Sequence, residues 1–307
     1  MTVSLENCSH KEKHTFRLFG EHIQQSRAPF LHNTLFDHLD IPWRYQIHET
    51  SDLKEIESYL TDENFIGCAV TMPNKVRATA CVDKLDAIGA GCGSINTVYV
   101  RPDDAGKLIT VGTNTDTVGI SQSLLHCFPK EVANASGKAG LVYGAGGACR
   151  SAVYALYKLL GVSKVYIINR IPDEVGNVID DMKTNGFDGE IIHVTDPEMA
   201  SQLETPSVAV LTVPDFEPIT EGEILAKRTL DVFKQSPGVV LEMCYHPTIE
   251  TRLFKDFTSA QWQVVSGVEA MIHQGLAQQV LWTGIPLDEL PVEAVVQRIY
   301  ESIESEN

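Results

Sequence analysis

The chain has 307 residues, 43% of them apolar, and a formal net charge of -17. That length gives room for two cores, and the charge argues against nucleic acid and anionic membrane as partners while allowing a small anionic substrate held by local cations. The seven cysteines form no C-x-x-C pair, the opening residues lack the apolar core of a signal peptide, and no apolar run approaches a membrane span, so a cytoplasmic protein with reduced thiols is expected.

Residues 1–14 are polar and expected to be disordered. Residues 16–19 read as a short strand ending at Gly20. The polar loop Gln25-Ser26-Arg27-Ala28-Pro29 then opens a helix at Pro29 that carries Phe30, Leu31, Leu35, Phe36 and Leu39. A strand over 43–47 precedes a helix over 53–60, where Asp52 and Glu55 have capping-box spacing. Residues 66–70 form a buried-strand run with Thr71-Met72-Pro73-Asn74-Lys75 at its C-terminal end. A helix is expected over 76–85, and 87–93 is small and glycine-rich. Ser94-Ile95-Asn96-Thr97 leads into a strand over 98–101, which turns through 102–106 into its hairpin partner at 108–111. Asn114-Thr115-Asp116 ends this half, whose alternation of strand and helix predicts a small α/β sheet in its own right.

A helix over 118–128 and a mobile, polar connection over 130–138 lead to the second half. There an apolar run, 139–143, meets the turn Gly144-Ala145-Gly146-Gly147. A helical period follows with Ala152, Val153, Leu156, Leu159 and Leu160 on one face. Gly161 stands at its C-terminal end, and a second strand run fills 165–168. Glycines at the first turn of such a βαβ unit are a dinucleotide-binding signal: Gly144 permits the tight turn, Gly146 lets the backbone approach a pyrophosphate, and the helix behind offers free N–H groups. Cys149 replaces the third glycine of the usual pattern. Further strand runs at 191–194, 208–213, 239–243 and 263–265 predict a doubly wound parallel sheet of the Rossmann type with five or six strands. Helices over 267–282 and 292–303 close the chain.

Polar groups at strand ends are where α/β folds place ligand contacts, and Lys75, Asn96 and Asp116 stand there. A lysine and a carboxylate in one cleft can pass a proton to and from a substrate hydroxyl. Taken one at a time, each also fits a solvated surface charge or a turn cap.

The motifs resemble the shikimate/quinate dehydrogenase family over nearly the whole chain. V-T-x-P-x-K matches Val70 to Lys75, x-x-N-T matches Ser94 to Thr97, and N-T-D matches Asn114 to Asp116. The glycine loop G-A-G-G-A-x-R matches Gly144, Ala145, Gly146, Gly147, Ala148 and Arg150, and N-R matches Asn169-Arg170. M-x-Y-x-P matches Met243, Tyr245 and Pro247, with Thr248 or Thr251 beyond, and Q-G matches Gln274-Gly275. The resemblance implies a substrate-binding α/β domain over 1–117, a Rossmann dinucleotide-binding domain over 118–266, and C-terminal helices, 267–307, that return to the substrate domain. It implies Lys75 and Asp116 as the catalytic pair. Asn96, Thr71 and Gln274 would be on the ring hydroxyls, Ser26 on the carboxylate, and Tyr245 lining the site. The implied cofactor is NADP or NAD, bound by the glycine loop, Asn169 and Arg170. Arg170 suits a 2′-phosphate and Asn169 is not the acid of NAD enzymes, which tips the expectation slightly to NADP; Asp173 and Glu174, which follow, oppose it. The implied partner is a small cyclic hydroxy acid, with no metal, and either a monomer or a homodimer fits. The sequence departs from the family at Ala28, Ala69, Thr117 and Leu211-Thr212-Val213, which leaves the choice between shikimate, quinate and another ring acid open. A ring-acid or nucleotide sensor without turnover, or a two-domain dehydrogenase of another substrate, would share much of this pattern.

Overall fold

The computed structural model describes residues 10–306, and the chain divides into two compact units. One comprises residues 1–90, 94–115 and 274–307; the other comprises 91–93 and 116–273. No helix among the described residues is long and apolar enough to cross a membrane.

In the first unit β1 (Thr15–Gly20) is followed by α1 (Ala28–His38), β2 (Arg44–Glu49), α2 (Leu53–Leu60) and β3 (Gly67–Val70). Then come the two-residue β4 (Lys84–Leu85), α3 (Ala87–Cys92), whose last two residues belong to the second unit, β5 (Thr97–Pro102) and β6 (Leu108–Thr113). The sheet order is β2-β1-β3-β5-β6-β4, parallel among the first three strands and antiparallel from β3 through β6. The core on one side is aromatic, with Phe16, Phe36, Trp43, Tyr45 and Trp282 packed together. Ala28 is buried with them, so the position where the family motif has a serine faces apolar neighbours.

Several expectations fail here for local reasons. Residues 76–85 are not one helix: a single 3-10 turn, Arg77–Cys81, gives way to β4. The Asp83 carboxylate accepts from both the backbone N–H and the hydroxyl of Thr110 at 2.8 Å, which ties the segment to β6 instead. The capping box at α2 does not form. Asp52 accepts from Lys54 N–H, while Glu55 accepts from the Thr50 hydroxyl and pairs with His48. Residues 10–14 are held, because the Trp43 indole donates to Glu12 O at 3.1 Å and His10 Nε2 bonds Thr283 O at 3.0 Å; the disorder expected for residues 1–9 lies outside the described residues.

The second unit begins with α4 (Asp116–Cys127). The expected mobile connection is instead a helix, α5 (Pro129–Ala135), with proline in its first turn and Val132 and Ala135 buried one turn apart. Next come β7 (Ala139–Tyr143), α6 (Gly147–Tyr154), β8 (Lys164–Ile168), α7 (Pro172–Thr184), β9 (Glu190–His193), α8 (Pro197–Ser201), β10 (Val208–Leu211), α9 (Glu221–Phe233), β11 (Val239–Glu242), α10 (Arg252–Ser259) and β12 (Gln263–Ser266). After α6 a π-turn over Ala155–Leu159 finishes the helix, and Gly161 reverses the chain at φ +72°. The six strands are all parallel in the order β12-β11-β10-β7-β8-β9.

Side chains alternate cleanly across this sheet, as the two-residue period of a strand requires. Val142, Val165, Ile167, Val210 and Leu241 face α4, α5, α6 and α7. Leu141, Tyr166, Ile168, Ala209 and Val240 face α8, α9 and α10. Burial on both faces explains the unbroken apolar runs in the sequence. The strand order reverses between β7 and β10, so the glycine turn after β7 stands at the switch point where doubly wound sheets bind ligands. The chain ends with α11 (Gly267–Thr283), whose residues from Gln274 onward belong to the first unit, and α12 (Val292–Glu306), which packs on α1.

Candidate active site

In the second unit the glycine turn meets two different demands. Gly144 has φ +112°, and a Cβ there would lie 2.5 Å from Thr212 Oγ1, so only glycine fits. Thr212 belongs to the triplet that departs from the family motif, and its hydroxyl donates to Tyr143 O at 3.0 Å, fastening β10 to β7 beneath the turn. Gly146 is the N-cap of α6, and nothing lies within 4 Å of a Cβ built on it. No side chain caps this helix. Gly146, Gly147 and Ala148 are at least partly exposed while Ala145 and Cys149 are buried, so the turn presents backbone N–H groups to open space at the positive end of the helix.

The cations read as cofactor contacts are engaged by the protein's own carboxylates. Arg150 is buried and turned into the body of the unit, with its Nη2 2.5 Å from Asp181 Oδ2 on α7. Asn169 Nδ2 donates to Ile171 O at 3.0 Å and to Glu174 Oε2 at 2.7 Å, steadying the start of α7. Arg170 pairs with Glu223 and lies over the Phe216 ring. Glu223 belongs to a capping box with Thr220. The N–H groups of Thr220 and Ile219, helped by Arg170, pull its carboxyl down to about 2. It stays charged at any working pH.

In the first unit the substrate candidates gather at one end of the sheet. Thr71 N–H donates to Phe19 O at 2.8 Å, and Asn74 N–H to Thr71 O at 2.8 Å. Lys75 is half-buried in this bend, and its carbonyl accepts from Ile95 N–H at 2.8 Å. Asn96 is buried, and its Nδ2 donates to Gln274 Oε1 at 3.2 Å, across 178 residues of sequence. Ser26 Oγ accepts from Ala28 N–H at 3.3 Å, which commits a lone pair and leaves the O–H as a donor. Asp116 and Tyr245 belong to the second unit, where both are half-buried: Asp116 is the first residue of α4, and Tyr245 sits in the turn after β11.

One group at the end of β11 is not marked by any motif. Glu242, the last residue of β11, is 1% exposed. Its Oε1 accepts from Cys244 N–H at 2.8 Å, and its Oε2 is buried without a hydrogen-bond partner. Burial pushes its carboxyl up to about 8, against the opposing pull of the Cys244 N–H. The sequence signal was an acid closing a strand run, Val239 to Met243, that is otherwise apolar. Because the folded carboxyl holds its proton to higher pH than the unfolded one, the folded state binds more protons between the ordinary glutamate pKa and about 8. Stability therefore falls as pH rises through that window and levels off above it. Glu242→Gln is expected to flatten this slope and to gain on the order of a few kcal/mol over wild type near the top of the window. Urea midpoints of both proteins across the window test it, and parallel curves would refute it.

Residues 18–98 match the family described as shikimate dehydrogenase substrate binding domain. A quinate dehydrogenase from Emericella nidulans is 38% identical over 285 residues, which is 87% of each chain. The solved dehydroquinate dehydratase and shikimate dehydrogenase portion of AroM from S. pombe is 31% identical with a TM-score of 0.75, over 94% of this chain but 53% of that one. A shikimate 5-dehydrogenase from Listeria monocytogenes, solved in complex with shikimate and NAD, is 25% identical with a TM-score of 0.74, over 95% of this chain and 97% of that one. A Rossmann-type sheet with its glycine turn at the switch point, an N-terminal α/β unit completed by the C-terminal helices, and this extent of identity place the chain in the shikimate/quinate dehydrogenase family of enzymes.

Proposed function

We propose that the protein is an NAD(P)-linked oxidoreductase that interconverts a ring hydroxyl and a ketone on a shikimate- or quinate-like acid. The observation that carries the reading is the open space over Gly146 at the switch point, with uncapped helix N–H groups around it, which suits a dinucleotide pyrophosphate. The quinate dehydrogenase relative and the shikimate and NAD bound to the Listeria enzyme support a cyclic hydroxy acid as the other ligand. In this reading residues 1–117 bind the ring acid, 118–266 hold the dinucleotide and 267–307 complete the substrate domain. The reaction belongs to the cytoplasm, in keeping with six free thiols among the described residues.

A bound nicotinamide supplies the acceptor for the hydride that leaves the hydroxyl-bearing carbon. Lys75 takes the proton from the hydroxyl oxygen as the ketone forms and returns it in the reverse direction, with Asp116 as the other member of the acid–base pair. Asn96, Thr71 and Gln274 hydrogen-bond the ring hydroxyls, Ser26 donates to the carboxylate, and Tyr245 lines the site. An absorbance assay at the reduced-nicotinamide band, with shikimate and quinate each offered with NAD and NADP, tests the reading; no turnover in all four combinations would refute it. In the same assay Lys75→Ala is expected to lower turnover by about 100-fold or more, the range of a general acid–base group, with nucleotide affinity intact. A variant that turns over at the wild-type rate would take Lys75 out of the mechanism.

Gly146→Val is expected to keep the fold, since its side chain meets no protein atom within 4 Å at Cβ, and to abolish nucleotide binding. Calorimetric titration with NAD and NADP checks this, and unchanged affinity would make the turn purely structural.

The ion pair between Arg170 and Glu223 moves the cofactor expectation away from NADP. The guanidinium is shared with a permanent anion, and Glu174 stands beside it on Asn169, so a 2′-phosphate meets two carboxylates. NAD is expected to bind at least as well as NADP. Glu223→Gln keeps an acceptor for the capping box and releases Arg170; it should tighten NADP by about 2–5-fold and leave NAD unchanged, as suits a pair whose arginine is open to solvent. Equal changes for both nucleotides would show that Arg170 does not meet the 2′ position.

A further inference from the structure

We propose that His32, Gln278 and Thr97 are positioning residues for the ring-acid site: a buried chain of hydrogen bonds running from α1 through α11 to β5 joins the Thr115 N–H in holding the side-chain amides of Asn96 and Gln274 in one orientation. The inference rests on reading Asn96 and Gln274 as ring-acid contacts.

The chain has a definite polarity, set at one end by a group that cannot reverse. Thr115 N–H donates to Asn96 Oδ1 at 2.8 Å. A backbone N–H is only ever a donor, so the oxygen of the Asn96 amide must face it. The Asn96 Nδ2 is thereby turned to Gln274, which must present its Oε1, and does so at 3.2 Å. The Thr115 hydroxyl lies 3.1 Å from Asn96 Oδ1 and 3.3 Å from Gln274 Oε1, so it donates on the same side.

The same logic runs the other way. Thr97 Oγ1 lies 2.7 Å from Asn96 Oδ1, which can only accept, so the threonine proton is committed there. Thr97 Oγ1 is then an acceptor toward its other neighbours: Gln278 Nε2 donates to it at 2.8 Å, and the Thr115 hydroxyl lies 3.1 Å away. That orients Gln278 with Oε1 toward His32 Nε2, 3.0 Å away, so His32 carries its proton on Nε2. Its Nδ1 lone pair accepts from Gln279 Nε2 at 2.8 Å. Every link from Asn96 to His32 is buried, and His32 is 0% exposed, stacked on Tyr45 at 4.4 Å between ring centroids. Burial lowers the imidazole to about 3, against the pull of the Gln278 bond, so the neutral form required by this polarity persists at physiological pH.

Either amide, if flipped, would set donor against donor or acceptor against acceptor. Thr97 is the link to test because valine has nearly its shape. Thr97→Val leaves Gln278 Nε2 without an acceptor and removes one of the donors that hold Asn96 Oδ1, whereas Thr97→Ser keeps the hydroxyl.

Calorimetric titration of the full chain with shikimate, quinate, NAD and NADP reads the result. Thr97→Val is expected to weaken the ring acid that wild type binds by about 10-fold or more, with nucleotide affinity unchanged, and Thr97→Ser to restore affinity to within about threefold of wild type. A Thr97→Val protein that melts lower but binds the ring acid as wild type does would reduce the chain to packing and overturn the proposal. Gln274→Leu separates the two levels of argument. If it weakens the ring acid while Thr97→Val does not, the positioning role fails and the site stands; if Gln274→Leu also leaves ring-acid affinity intact, the reading of the site fails and the proposal with it. Should Thr97→Val not fold, nitrogen-15 NMR of the wild-type imidazole decides. A neutral Nε2–H ring throughout the range from about pH 5 to 8 is expected, and an Nδ1–H tautomer or a titration near the ordinary histidine value would overturn the proposal.

Discussion

The Asn96 side-chain oxygen is the fixed point of the substrate-side unit. It accepts from one backbone N–H and two hydroxyls while the backbone of the same residue bonds Thr113 on one side and Val70 on the other. A side chain restrained in this way has one rotamer and one amide orientation. On the proposed reading it presents a fixed pattern to a ring of hydroxyl groups, whose recognition depends on donors and acceptors standing in the right order. The arrangement joins the end of β3, the start of β5, the end of β6 and the helix α11. A change of register in any of these elements would unmake it.

On the proposed reading the second unit faces a different problem, that of receiving a charged dinucleotide in a chain with a net charge of -17. Its answer is local and uses the backbone more than side chains. Gly144 lets the turn close, Gly146 leaves the space above it empty, and α6 brings its uncapped N–H groups to that space. The side-chain cations nearby are already paired: Arg150 with Asp181 and Arg170 with Glu223. Backbone N–H groups cannot be neutralised by neighbouring acids, so the excess of carboxylates on the chain does not spoil this site. Where recognition would fall to a side chain, at the 2′ position of the ribose, the acids do matter, and there they oppose a phosphate.

The sequence made the doubly wound sheet legible because strands buried on both faces carry unbroken apolar runs, and glycines at the first turn of a βαβ unit have a mechanical reason to be there. It also placed the N-terminal hairpin and both C-terminal helices within a few residues. Where it failed, a distant side-chain bond outweighed local pattern or a short apolar interval was masked by polar neighbours. Residues 76–85 have a helical look, but the Asp83 carboxylate draws them to β6; residues 130–138 look polar and mobile, but Val132 and Ala135 recur at a helical interval and are buried. Arg170 was visible as a cation, while its partner Glu223 lies 53 residues away in a capping box, and a local reading of the N-R dipeptide cannot find it. The His32 chain is hidden for the same reason, with its partner 246 residues distant and no periodicity to announce it.

Helix α11 shows why such a chain exists at all. Helices buried on all sides are usually apolar on all sides, yet this one carries Gln278, Gln279 and Thr283 among its buried residues, beside Trp282 and Leu276. Amides in a core are costly unless each finds a partner, and one of them here, Gln279 Oε1, does not. Replacing buried polar groups by well-packed apolar ones of similar volume is often neutral or stabilising. What an apolar helix would lack is a directional link, since apolar contacts tolerate a rotated or shifted neighbour and hydrogen bonds of fixed polarity do not. The polar face of α11 thus trades stability for orientation, and that orientation is delivered to Gln274, one helical turn before Gln278 on the same helix.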